Sequence, residues 1–153
     1  MNKAIELIKN PRAEIIKAIE GLSIQQLNEV PAGFNNNIIW NMGHLIAAQQ
    51  GVCYRRSALD LKIDESFFNQ YKPGTKPEGF INEAEVEKIK ALLFTTLDEL
   101  EADLPKPIFS NYTSVMTRYG VELASIDDAI RFLPFHEGLH IGYIMALKRV
   151  VAE

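Results

Sequence analysis

Cysteine is nearly absent from this chain. Cys53 stands alone among 153 residues, which excludes an internal disulfide framework and is the usage a reducing compartment favours, so the cytoplasm is the expected location. No apolar run approaches the roughly 18 residues a membrane helix needs, and Met1 to Glu6 place an acid where a secretory signal would carry its apolar stretch. Neither membrane insertion nor a visible export signal is expected. Basic residues are outnumbered, 16 Lys and Arg against 20 Asp and Glu, for a formal charge of -4. Phosphate backbones are held by clustered Lys and Arg, and Arg55-Arg56 and Lys148-Arg149 are too small to reverse that balance, so no nucleic-acid partner is expected. Repeats, low-complexity tracts, a flexible linker, a Gly-rich phosphate loop and a Ser-His-Asp order are missing too.

What is present is an ordinary soluble balance, 47% hydrophobic and 24% charged, read as one domain over residues 1–153. A chain of about 150 residues buries about two thirds of its unfolded surface, so any metal would be there for function rather than to hold the fold.

The punctuation predicts helices. Asn10-Pro11 pairs an N-cap residue with a first-turn proline and opens helix one, which runs through Ile15, Ile16 and Ile19 to Gly21, with Ala4 to Ile8 as extra N-terminal turns. Ser23 to Gln26 fits a capping box and a short helical turn before Pro31. From Asn37 to about Ala58 no proline intervenes and apolar residues lie nearly all round the wheel, predicting a central second helix. Residues 59–80, with Pro73, Gly74, Pro77 and Gly79, read as a long connection holding a turn at Ser66 to Tyr71. Asn82 and Glu85 cap a third helix reaching about Asp103. A second connection spans Leu104 to Ala124, its Tyr112 to Val121 stretch extended or coil. Ser125 with Asp128 opens a fourth helix to about Val151, bent locally at Pro134. The expected fold is all-α, a four-helix bundle with two long connections.

Two of the three histidines, His136 and His140, stand four residues apart in the last helix, so both imidazoles project from one face. The third, His44, lies mid-way along the second helix beside Trp40, Ala47, Ala48 and Gly51, where small residues leave room for the ring. Imidazoles from facing helices are an established way to build a metal site in a bundle. Three neutral nitrogen ligands suit a divalent metal, zinc, nickel or iron(II), and leave one position open for water or substrate. Against this stands the reading of each histidine as a satisfied core or surface residue.

His136-Glu137-Gly138-Leu139-His140 also matches the H-E-x-x-H pattern of zinc proteases. The continuation fails: Tyr143 and Ala146 occupy the places of the metzincin Gly and third His, and Glu153 at the terminus is an implausible ligand. Glu137 projects about 80° from the midpoint of the two histidines, which suits a structural or solvated role better than that of a general base. Tyr143 lies within about 20° of His136 on the wheel and is the best single candidate for a catalytic polar group beside the metal, packing being the competing role. Asn37 and Asn41 share the His44 side and can orient a ligand, cap the helix or bond backbone. Cys53, about 180° from His44, should be an inert buried thiol.

A Gly-Leu-Ser turn, then Ile39-Trp40-Asn41-Met42-Gly43-His44-Leu45, then Pro134-Phe135-His136-Glu137-Gly138-Leu139-His140-Ile141-Gly142-Tyr143, resembles the DinB superfamily (DinB/YfiT-like metalloenzymes) over nearly the whole chain. The resemblance implies that His44, His136 and His140 bind a divalent metal at one end of a four-helix bundle, and that the chain forms a homodimer. It also implies a metal-dependent transferase that joins a low-molecular-weight thiol, such as bacillithiol or mycothiol, to a small electrophile. Many relatives have Gln where this chain has Tyr143. A metal-assisted hydrolase and a non-catalytic metal-binding stress-response module are the alternative functions.

Overall fold

The computed structural model describes residues 2–152. Six helices and one small ladder follow in chain order: α1 (Lys3–Ile19), α2 (Ile24–Asn28), α3 (Ile38–Cys53), α4 (Glu65–Tyr71), α5 (Glu83–Asp103), β1 (Val115–Met116), β2 (Glu122–Leu123) and α6 (Ile126–Val151). Four of the caps written in the sequence are made: Ser23 with Gln26, and Asn82 with Glu85, form reciprocal capping boxes, and Asn37 and Ser125 accept from Trp40 N and Asp128 N. Among the described residues no helix is long and apolar enough to cross a membrane.

Several expected boundaries move. Asn10 caps nothing: α1 begins at Asn2, whose side chain accepts from Ala4 N, and passes straight through Pro11. The proline removes one helical hydrogen bond, but Ile5, Ile8, Arg12, Ile15 and Ile19 form an unbroken buried stripe, and tertiary burial outweighs the local penalty. The stretch expected as a turn at Ser66 to Tyr71 is the full helix α4, docked on α3 through buried Phe67 and Tyr71. The second helix stops at Cys53 rather than running to Ala58; a 3₁₀ turn over Arg55–Ser57 follows, closed by Ala58 in the left-handed region at φ 56°. Tyr112 to Val121 is partly extended, with Val115 opposite Leu123 in an antiparallel pair and Gly120 supplying the positive φ (74°) of the turn.

The four long helices pack in a closed circuit, α1 against α6, α6 against α3, α3 against α5 and α5 against α1. The apolar core is in two parts. One gathers Ile15 and Ile19 of α1, most of α3, Ile89 and Leu93 of α5, and Ile144, Leu147 and Val151 of α6. The other holds Ile5, Ile8, Cys53, Tyr54, Leu97, Leu100, Ala129, Ile130 and Leu133. On every long helix a polar residue falls at the join: Arg12, Gln49, Thr96 and Glu137, all fully buried.

Candidate metal centre

Those four residues form one network. Arg12 Nη2 donates to Glu137 Oε1 at 2.6 Å and to the Leu45 carbonyl at 3.2 Å, Nη1 donates to Gln49 Oε1 at 3.2 Å and the Leu93 carbonyl at 2.8 Å, and Nε donates to the Glu137 carboxylate at 3.1 and 3.2 Å. Every guanidinium N–H therefore has an acceptor, and one side chain of α1 is bonded to α3, α5 and α6. Burial pushes the Glu137 carboxyl up, and the Arg12 guanidinium opposes it. Glu137 is thus held in the core by an ion pair, the structural role, and not turned toward the histidines as a general base. The Arg12 partner carries no motif in the sequence; its only signal is a charged residue on the buried stripe of α1.

Beside that layer the histidines converge, His136 one residue before Glu137 and His140 three after it. Ring centroids are 4.6 Å apart for His136 and His140, 4.7 Å for His44 and His140, and 5.2 Å for His44 and His136. One nitrogen from each ring lies within 4.8 Å of the others. His44 is 6% and His136 9% exposed, and His140 is half-buried. Two rings are oriented through the nitrogen not needed for ligation: His44 Nδ1–H donates to the Tyr71 carbonyl at 2.8 Å, and His140 Nδ1–H to Asn41 Oδ1 at 2.8 Å. Each leaves Nε2 as a free lone pair, the arrangement that fixes a metal-binding tautomer. Buried His136 Nδ1 has no hydrogen-bond partner among the described residues, the kind of orphaned polar atom that calls for an explanation.

The rings are also neutral. Burial, then the neighbouring imidazoles and Arg12, holds His136 down to about 3; burial, then His44 and Arg118, holds His140 down to about 4; burial lowers His44 against the pull of its Tyr71 bond. Three uncharged, convergent nitrogens fit a divalent cation and leave it without a compensating protein charge.

The DinB superfamily pattern matches residues 8–144, which include all three histidines. The chain belongs to the DinB superfamily. No curated protein matches it significantly.

Within this DinB-superfamily chain, the small residues around His44 serve a second purpose. A Cβ on Gly43 would stand 2.5 Å from the Tyr71 ring, and one on Gly51 3.5 Å from Phe68. The room beside the imidazole is therefore filled by α4, which brings the Tyr71 carbonyl to His44. Trp40 stacks on the other side of His44, 4.7 Å between centroids and 10° between planes, its Nε1 tied to Thr75 Oγ1 at 3.1 Å. Asn37 caps α3 and donates to the Asn28 carbonyl, whereas Asn41, anchored by donating to the Asn37 carbonyl and Asn36 Oδ1, steers His140.

Tyr143 is 38% exposed, with its ring edge-on to Phe34 at 5.6 Å. Cys53 sits in the other half of the core, fully buried, its thiol pushed up to about 12 by desolvation. Glu153, set aside as a ligand on sequence grounds, lies outside the described residues. A surface hollow of about 330 Å³ between Leu61, Ile63, Phe67, Lys88 and Leu92 includes none of the histidines.

Proposed function

We propose that this protein holds one divalent metal, zinc or nickel or alternatively iron(II), on His44, His136 and His140, within a four-helix bundle formed by α1, α3, α5 and α6. We propose further that it uses the metal to transfer a low-molecular-weight thiol to a small electrophile. The observation that carries the reading is the convergence of three neutral imidazoles, two of them already aimed by carbonyl acceptors and the third with an unpartnered buried nitrogen. A metal on three neutral ligands keeps its full positive charge and so lowers the pKa of a bound thiol, supplying a thiolate that free thiols near pH 7 mostly lack.

The protein's own residues do the rest. Asn41 and the Tyr71 carbonyl keep the rings from turning, and burial of His44 and His136 restricts water around them. Tyr143, held by Phe34 and about 20° from His136 around α6, is the group we assign to orient the thiol or donate to the leaving group. The hydrolase alternative is the weaker one, because the Glu of H-E-x-x-H is bound by Arg12 instead of facing the histidines. A reducing compartment suits both a thiol substrate and the lone thiol of Cys53. The protein is proposed to act as a homodimer joined through helix faces.

Elemental analysis of the purified protein should find one metal per chain. Replacing any one histidine by Ala should lower metal affinity about 100-fold or more while the circular dichroism stays helical, because the apolar core does not depend on the site. Unchanged metal content in all three variants rules the site out. In loaded protein, Tyr143→Phe should slow thiol transfer to a chromogenic electrophile, whereas Cys53→Ala should not.

A further inference from the structure

The three rings stand on two helices, and their own bonds do not fix how far apart those helices lie. His44 and His136 are not bonded to each other: Nδ1 of His44 is tied to α4, and Nδ1 of His136 has no partner among the described residues. Among the described residues α6 has two polar ties to the other long helices, the bond between His140 and Asn41 and the pair of Glu137 with Arg12. The first ends on an imidazole that turns about its own side-chain bonds, so it aims a ring without setting a helix.

Arg12 holds something firmer. Its guanidinium is located by main chain, Nη2 on the Leu45 carbonyl of α3 at 3.2 Å and Nη1 on the Leu93 carbonyl of α5 at 2.8 Å. From that point Nη2 also donates to Glu137 Oε1 at 2.6 Å and Nε to both carboxylate oxygens at 3.1 and 3.2 Å, a side-on fork that a planar guanidinium makes and an ammonium does not. Leu45 is the residue after His44, and Glu137 lies between His136 and His140. The pair α3 and α5 does not need this bridge: Gln49 Nε2 donates to the Thr96 carbonyl at 2.9 Å, and Thr96 Oγ1 to Gln49 Oε1 at 3.1 Å. In this layer, among the described residues, α6 depends on the guanidinium alone.

We infer that Arg12 is a positioning residue of the histidine site. By joining the residue after His44 to the residue between His136 and His140, it sets the spacing of α3 and α6 at which one nitrogen of each ring lies within 4.8 Å of the others. The inference rests on the proposed metal for the use of that spacing, and on the bonds above for the spacing itself. Losing a group that orients ligands from behind commonly costs about 10- to 100-fold in metal affinity.

The test compares Arg12→Met, the double variant Arg12→Met with Glu137→Met, and Leu100→Ala, a control in the half of the core that holds no histidine. Removing both partners strands no charge, so the double variant regains stability, but it lacks the bridge as fully as the single one. Loaded with cobalt, both Arg12 variants should bind the metal about ten-fold or more weakly than the wild type and show a changed visible spectrum. Leu100→Ala should lose stability yet keep the wild-type affinity and spectrum. In the metal-free proteins, the nuclear Overhauser contact between the His44 and His136 rings, whose centroids are 5.2 Å apart, should be present in the wild type and in Leu100→Ala and weakened in the double variant. If Arg12→Met does not fold, the double variant carries both comparisons. Wild-type affinity in the double variant, or an equal loss in Leu100→Ala, overturns the inference. If the wild type binds no cobalt, the metal reading fails on its own and the ring contact decides: weakening confined to the double variant supports the bridge, and an unchanged contact overturns it.

Discussion

The residue on which most of the interior turns is Arg12. A buried ion pair is weak evidence of stabilisation, since desolvating both charges can cost as much as their attraction returns, yet removing one partner alone is expensive. Here the guanidinium has acceptors on all three other long helices, so its loss strands the Glu137 carboxylate and the Gln49 side chain in a dry layer. Arg12→Met should therefore cost about 3–5 kcal/mol in urea unfolding, and Glu137→Met about as much, while the double variant should lose clearly less than the sum of the two. Strict additivity would show that the pair is not coupled. The same layer explains an oddity of the motif: a Glu between two histidines reads as protease chemistry, but one residue's step around α6 turns it from the histidines to Arg12.

At the scale of elements, the decisive contact is α4 on α3. Nothing in the Ser66 to Tyr71 stretch announces more than a turn, and its seven residues would not hold as a helix alone. It holds because Phe67 and Tyr71 are buried against α3 where Gly43 has no side chain. Gly43→Ala improves intrinsic helix propensity but drives a Cβ into a nearly sealed ring, so the expected net change is a loss of about 1–2 kcal/mol in thermal or urea unfolding. Displacing Tyr71 also loosens the bond its carbonyl accepts from His44, and metal affinity should fall about ten-fold, the lower end of what losing such a supporting partner costs. A variant as stable as the wild type with unchanged affinity would show that α4 does not aim His44.

For the molecule as a whole, α6 is the element with an apolar surface left over. Its inner side supplies two histidines and the core, while Phe135, Leu139 and Val150 are 49%, 41% and 42% exposed, on one stripe with Gly142 and Ala146. Two-fold dimers commonly bury apolar stripes of this kind against a second copy. Light scattering at micromolar concentration should give twice 17.3 kDa, and Leu139→Glu should return the mass to the monomer value with helicity intact. A monomeric wild type refutes the dimer.

Local chemistry is what the amino-acid order determined unaided. The capping boxes at Ser23 and Asn82, the caps at Asn37 and Ser125, and the turn-long spacing of His136 and His140 each involve residues no more than four apart, so their interactions are readable without a fold. His44 joined the set because it falls on a helix apolar all round, and such a helix must be central. Pro11 marks the limit of that reading: by local rule it opens a helix, but a buried stripe on both sides carries α1 through it. The Arg12 bonds span 33 to 125 positions, and the bond from His44 to the Tyr71 carbonyl spans 27. Only packing brings them together, because a buried polar group takes whatever partner the surrounding helices place within reach, and sequence spacing does not encode that.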